Sequence, residues 1–227
     1  MKYEVVFLDA DGTVWDFKRS EEKAFLSTLK SYGVEENLEG VYRRYSRINE
    51  LLWERLEQGT IKKDELRRKR FEDLFAEFQF KIPIDEFSRE YLAAIAQGKD
   101  LIDGAEDICR YLSERYRVVV VTNGMKETQN SRMAGSTLEP FIEKMIISDE
   151  ISIAKPEPGI FEYAMNAIGY KDKERVIMIG DSLSADIAGG VNFGIDTCWI
   201  NPSKLVAGNN IVPTYEIMDI RELKNIL

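Results

Sequence analysis

Val5-Val6-Phe7-Leu8-Asp9-Ala10-Asp11-Gly12-Thr13 opens the chain with four apolar residues that run straight into two carboxylates one residue apart. A buried strand ending in DxDGT delivers two acids to one edge of a sheet, where a ligand or metal can reach them. Side chains two apart on an extended segment point the same way, so Asp9 and Asp11 share one site. Two carboxylates that close repel each other, and a cation or a shared proton must compensate. An Asp/Gly turn after any α/β strand would read similarly, so the case for a site rests on residues further along the chain.

After residue 15 the character changes. From Ser20 to about Gly98 the pattern is helical, with candidate helices near 20–31, 38–57, 62–79 and 84–97 separated by Gly33, Gly59-Thr60 and Pro83. In the second, Leu38, Val41, Tyr42, Tyr45, Ile48, Leu52 and Leu56 recur at the three-or-four spacing of an apolar stripe. Four helices with short loops predict a small bundle. The basic run from Lys62-Lys63 to Arg67-Arg68-Lys69-Arg70 is interleaved with Asp64 and Glu65, which predicts a solvated, salt-bridged helix face.

From Lys99 onward helix and strand alternate. Strands are expected at Val118–Val121, Met145–Ile147, Val176–Ile179 and Thr197–Ile200, with helices near 104–115, 125–134, 157–168 and 184–193. That alternation predicts an α/β, doubly wound parallel sheet covered on both faces. The simplest topology places residues 1–15 and 99–227 in one core and inserts residues 16–98 as a helical cap.

Composition narrows the chemistry. The chain of 227 residues is 44% hydrophobic and 31% charged, which suits a globular protein with a real core. No apolar run approaches the roughly 20 residues needed to span a bilayer, and Met1 leads into the first strand without room for a signal peptide. Cys109 and Cys198 each sit inside an apolar element and read as buried thiols in a reducing compartment. A cytoplasmic protein is expected. The net charge of −9 disfavours a nucleic-acid polymer as partner. Histidine is absent, which excludes Ser-His-Asp and Cys-His systems and any His-ligated zinc. A metal site must then use oxygen ligands, favouring Mg²⁺, Mn²⁺ or Ca²⁺.

Three further polar signals fall at predicted strand ends: Thr122-Asn123-Gly124 after Val121, Gly180-Asp181-Ser182 after Ile179 with Asp186 beyond, and Lys155-Pro156 before the helix at 157–168. Singly, each has a plain reading as turn, helix cap or solvated loop. Together and in this order they place Asp9, Asp11, Thr122, Asn123, Lys155, Asp181 and Asp186 on one crevice at the carboxyl edge of a sheet. The acids suit a hard cation, while Lys155, Thr122 and nearby N–H groups suit a phosphoryl group.

The runs at 9–13, 122–124, 155–158 and 180–187 resemble, in order and spacing, the four motifs of the haloacid dehalogenase-like hydrolase superfamily, and the inserted helices resemble its C1-type cap. Asn49-Glu50-Leu51-Leu52-Trp53, Gly59, Arg70-Phe71-Glu72, Gly189-Gly190 and Thr197-Cys198-Trp199-Ile200-Asn201 resemble the bacterial pyrimidine 5′-nucleotidase branch. The resemblance implies Asp9 as nucleophile, Asp11 as acid and base, and Lys155 and Thr122 on the phosphoryl oxygens. It also implies Mg²⁺ (or Mn²⁺) on Asp9, the Asp11 carbonyl and Asp181, with Asp186 beside it. Asn123 and Gly124 would meet substrate, and Asn49 and Trp53 would meet a nucleobase or else serve the cap's own packing. The expected partner is a small phosphorylated substrate, a nucleotide first. A phosphatase of phosphoglycolate or a sugar phosphate, or a phosphomutase, is the alternative. Dehalogenases need no acid at position 11, and phosphoacceptor receiver domains lack such a cap. A monomer or a homodimer is expected.

Overall fold

The computed structural model describes residues 2–206 and 211–227. Six parallel strands form one sheet: β1 (Val5–Leu8), β2 (Arg117–Thr122), β3 (Lys144–Ile147), β4 (Val176–Gly180), β5 (Asp196–Ile200) and β6 (Tyr215–Ile217), in the order β3-β2-β1-β4-β5-β6. β1 lies at the centre, with Leu8 beside Val120 on one side and Ile179 on the other. The chain reverses its direction of winding there, and at such a switch point the strand ends leave a crevice.

Every residue of β1 is buried because both faces of the sheet are covered. Val6, Leu8, Val118, Val120, Ile177 and Ile179 share one core with Ala105, Ile108, Cys109 and Leu112 of α5 (Ala105–Ser113). Val5, Phe7, Val119, Val121, Val176 and Met178 face the other way, onto Ile160, Phe161, Ala164 and Met165 of α8 (Pro158–Ala167). α6 (Lys126–Met133) and the short α7 (Ser148–Ile151) complete the crossovers on either side of β3. The period-two split of a continuous apolar strand between two cores is the signature of a parallel sheet. Both cysteines are buried free thiols, and burial pushes each thiol up to about 12.

Two features depart from the sequence reading. Strand β6 and the 3₁₀ turn Ile220–Asn225 extend the fold past the last predicted strand; three edge residues carry too little periodicity to announce themselves. The segment expected as one helix from 184 is a π turn, Leu183–Ile187, followed by α9 (Ala188–Phe193).

By contact density the chain divides into two units, Met1–Phe17 with Lys99–Leu227, and Lys18–Gly98. The second unit comprises α1 (Phe17–Ser31), α2 (Leu38–Glu57), α3 (Lys63–Phe78) and α4 (Ile84–Ala96). Its core is aromatic: Phe25 stacks on Tyr45 at 4.3 Å between ring centroids, and Phe71 meets Phe87 edge-on at 4.9 Å. Arg68 and Lys69 pair with Glu72, Asp85 and Asp73 on the surface, as a salt-bridged face should. Arg70 does not belong to that face. It turns inward, with its guanidinium 4.8 Å from the centroids of both Phe71 and Tyr91.

Arg70 is part of a buried polar centre. Asn49 donates to Glu21 at 2.8 Å and accepts from Arg70 at 3.4 Å, the Tyr45 and Tyr91 hydroxyls lie 2.6 Å apart, and Tyr91 donates to Glu21 at 3.1 Å. Burial raises the Glu21 carboxyl above its ordinary range, and the Arg70 charge and the two tyrosine hydroxyls only partly oppose this. An acid whose folded pKa is raised contributes stability that is complete below its unfolded value of about 4.5 and is lost as pH climbs through the folded value. Glu21→Gln fixes the uncharged form. In urea unfolding between about pH 4 and pH 7, wild type should lose stability relative to that variant as pH rises. A gap that stays constant with pH would contradict the assignment.

Candidate active site

β1 ends at Leu8, and the next residue, Asp9, keeps its backbone N–H on the Ile179 carbonyl at 2.8 Å. The chain then turns sharply: Val14 and Trp15 both donate to the Ala10 carbonyl, and Gly12 takes φ +87°. Only glycine adopts that conformation without strain, and a Cβ there would collide with the Asp181 carboxylate. The turn therefore brings the first motif against the end of β4.

Lys155 sits at the centre of the crevice, 2% exposed, with its ammonium 2.5 Å from Asp9, 2.6 Å from Asp186 and 2.6 Å from the Val121 carbonyl. The contacts to Asp9 and the Val121 carbonyl are hydrogen bonds, and the contact to Asp186 is an ion pair. Its loop is fixed by Asn123, whose amide accepts from the Lys155 N–H at 2.9 Å and donates to the Lys155 carbonyl at 2.8 Å. Asn123, expected on substrate, thus has this bracing role. The Thr122 hydroxyl accepts from the Gly124 N–H at 3.0 Å. Gly124 itself leaves the space that the Gln129 side chain fills.

Asp186 comes from the π turn. Its second oxygen accepts from the Ser182 N–H at 3.0 Å, and a Cβ on Gly180 would fall on its carboxylate. The widened turn and the bare Gly180 together let an acid beyond β4 reach back to Lys155. Asp181 stands at the rim with its side chain exposed, while its main-chain carbonyl accepts from the Trp199 indole of β5 at 2.8 Å.

The electrostatics follow from crowding. Burial raises Asp9 well above the usual carboxylate range, and Asp186 adds to this while Lys155 works against it. Loss of hydration among its neighbours, and then the Asp186 charge, push Asp181 up to about 7 even at the rim. Burial opposes a charged Lys155, but the two carboxylates outweigh it and hold the pKa above that of an ordinary lysine.

One carboxylate oxygen from each of Asp9, Asp181 and Asp186 lies within 4.8 Å of the others. Three acids held that close, with one lysine among them and an oxygen-only donor set, fit a hard divalent cation. Asp9 and Asp181 would hold it, with the Asp11 main-chain carbonyl nearby in sequence. Asp186 is the more committed acid, since Lys155 and the Ser182 N–H already occupy its oxygens.

Asp11 is partly exposed, and both of its oxygens are gripped by α6: Gln129 donates to one at 2.5 Å and Arg132 pairs with the other. The sequence reading missed these two residues and the Trp199 indole. The signal for the first pair was present, since Gln129 and Arg132 lie one helical turn apart directly after the Thr122-Asn123-Gly124 strand end. Asn49 and Trp53 belong to the other unit: Asn49 within the buried polar centre, Trp53 half-buried one turn further along α2.

A cation that binds only the folded site stabilises it, by about 2.7 kcal/mol at 100 times Kd. Mg²⁺ should therefore raise the thermal midpoint of wild type and leave that of Asp181→Asn unmoved. Trp199→Phe removes the donor that holds Asp181's backbone and should weaken Mg²⁺ about tenfold, read from the same titration. Equal stabilisation of all three proteins by Mg²⁺ would place the ion elsewhere.

Known proteins resemble the chain over most or all of its length. Residues 3–194 match the haloacid dehalogenase-like hydrolases. The chain is 36% identical to the pyrimidine 5′-nucleotidase PynA of Streptococcus pneumoniae, covering 100% of this chain and 98% of that protein. It is 29% identical to the pyrimidine 5′-nucleotidase YjjG of Escherichia coli, over 100% and 99%. YfnB of Bacillus subtilis, solved bound to magnesium, superposes with a TM-score of 0.94 at 33% identity, over 100% of this chain and 99% of that one. Motif order, fold and full-length likeness converge, and the chain belongs to the haloacid dehalogenase-like hydrolases.

Proposed function

We propose that this protein hydrolyses phosphate monoesters through an aspartyl-phosphate on Asp9, and that its preferred substrates are nucleoside 5′-monophosphates, pyrimidine ones first. The observation that carries the reaction class is the buried Asp9–Lys155–Asp186 array with Asp11 two residues from the nucleophile. It offers an acid to attack phosphorus, a cation to hold the equatorial oxygens and a second acid for proton transfer. The nucleotide preference is supported by the two full-length nucleotidase relatives.

In this reading an Asp9 oxygen attacks phosphorus while Lys155 and the Thr122 hydroxyl steady the transferred group. Asp11 gives its proton to the departing alcohol and later takes one from water. A bound Mg²⁺ supplies positive charge that keeps Asp9 ionised and offsets charge on the phosphoryl oxygens. The acid at position 11 also separates the reading from dehalogenation at carbon, where no alcohol needs a proton.

Base recognition is assigned to the 18–98 unit, because the phosphoryl site sees only phosphate. Trp53 offers a flat, half-buried indole, and Asn49, fixed by Glu21 and Arg70, keeps one amide hydrogen. Stacking and base-edge contacts of this kind contribute about 1–3 kcal/mol each.

Two experiments test the proposal. Asp9→Asn should lose phosphatase activity by several orders of magnitude, and Asp11→Asn about 10²–10⁴-fold on alkyl esters with a smaller loss on aryl esters. Near-normal turnover by Asp9→Asn would remove the mechanism. A panel of nucleoside monophosphates, sugar phosphates and phosphoglycolate should give the highest kcat/KM for pyrimidine nucleotides. Trp53→Ala should lower that value about tenfold or more while sparing p-nitrophenyl phosphate. Parallel loss on both substrates would make Trp53 a packing residue.

A further inference from the structure

Beside the Lys155 array, a second buried polar contact in the 1–17/99–227 unit grips Asp11. Arg132 is 0% exposed and Gln129 1%, so neither is a surface residue that happens to reach an acid. The Arg132 guanidinium lies 4.5 Å from the centroid of the Trp15 ring, which is itself fully buried. Stacking on the indole fixes the plane of the guanidinium and directs one N–H at Asp11 Oδ1. The Gln129 amide reaches Oδ2 through the room left by Gly124. Two donors, one per oxygen, from two residues a helical turn apart, form a clamp matched to a carboxylate.

We propose that Arg132 and Gln129 are positioning residues that hold Asp11 as the base for the second half of the reaction. The inference rests on the phosphomonoesterase reading above. In the first half, an Asp9 oxygen bonds to phosphorus and the bond from phosphorus to the ester oxygen breaks. Its electron pair leaves with the alcohol, which takes the proton of the Asp11 carboxyl. Asp11 is then a carboxylate, the form whose two oxygens the clamp receives. In the second half, water attacks phosphorus, the bond to Asp9 breaks with its pair returning to Asp9, and Asp11 takes the water's proton. Ester and water have become alcohol and phosphate, and both aspartates are restored. Protonation removes the charge that strengthens the Arg132 pair, so the clamp grips Asp11 hardest as the carboxylate of the water step and less as the carboxyl of the alcohol step.

An aryl leaving group separates the two halves, because it departs without a proton. With p-nitrophenyl phosphate and Mg²⁺, Arg132→Gln and Gln129→Met should form the aspartyl-phosphate at nearly the wild-type rate and break it down about tenfold or more slowly. Stopped-flow traces would then show a burst of about one nitrophenolate per site before a slow steady rate. Arg132→Lys should restore part of that steady rate. Placed in an Asp11→Asn background, each clamp substitution should cost less than about twofold further, since the clamp acts only through Asp11. Burst and steady rates falling together, or an equal loss with and without the Asp11 carboxylate, would make the contact purely structural. If the charge change unfolds Arg132→Gln, Gln129→Met removes one donor alone and decides the question. Wild type without turnover of p-nitrophenyl phosphate would overturn the phosphatase reading itself, an outcome distinct from either result on the clamp.

Discussion

A buried ammonium with three partners organises the catalytic half of this molecule. An unpaired charge in the interior is prohibitively costly, so Lys155 is tolerable only among acceptors and opposite charges. Asp9, Asp186 and the Val121 carbonyl supply these, and they come from the ends of three different elements: β1, the π turn and β2. Meeting at one nitrogen demands that neighbouring strands stay in register, that Gly180 carry no side chain, and that Asn123 pin the loop bearing the lysine. The same arrangement leaves more carboxylates than cations. A surplus of that kind fits a divalent ion, whose charge would in turn offset that of an anionic ligand.

Much of this is legible in the chain. Apolar runs such as Val118–Val121 and Val176–Ile179, spaced by helices, specify a parallel sheet because both faces must be buried. The polar residues that interrupt those runs at their C-terminal ends mark the crevice, since nothing else in a doubly wound sheet places acids there so regularly. Glycines at 12, 124 and 180 read locally as turn residues. Each is in fact required by a neighbouring side chain, Asp181, Gln129 and Asp186 respectively, and such pairings across the fold leave no trace in local sequence.

Other features could not be read for equally physical reasons. Arg70 lies within a basic, salt-bridged helix, and the run of charges reads as one wet face even though its four-residue spacing from Leu66 and Leu74 puts it on the buried one. Its burial depends on Glu21, Asn49 and two tyrosines contributed by three other helices. Likewise a helix that starts one residue wide is invisible in composition. Yet the wide turn of Leu183–Ile187 sets where Asp186 points, and through Lys155 it bears on Asp9. Distances decide which acid is a ligand and which is a support, and spacing alone cannot separate those roles.

The distribution of satisfied and unsatisfied polar groups also limits where discrimination between substrates can arise. Asn123 is spent on the Lys155 backbone, the Lys155 ammonium on Asp9, Val121 and the Asp186 charge, and Asp11 on α6. Groups so committed can hold a phosphoryl centre in a fixed geometry but have little left with which to read the rest of an ester. A site preorganised to that degree acts on charge developing at phosphorus and is indifferent to what the phosphate is attached to. Selectivity requires surfaces that keep spare hydrogen-bonding or stacking capacity. Such surfaces discriminate by a few kcal/mol at most, enough to rank related esters and too little to exclude every other small phosphate ester.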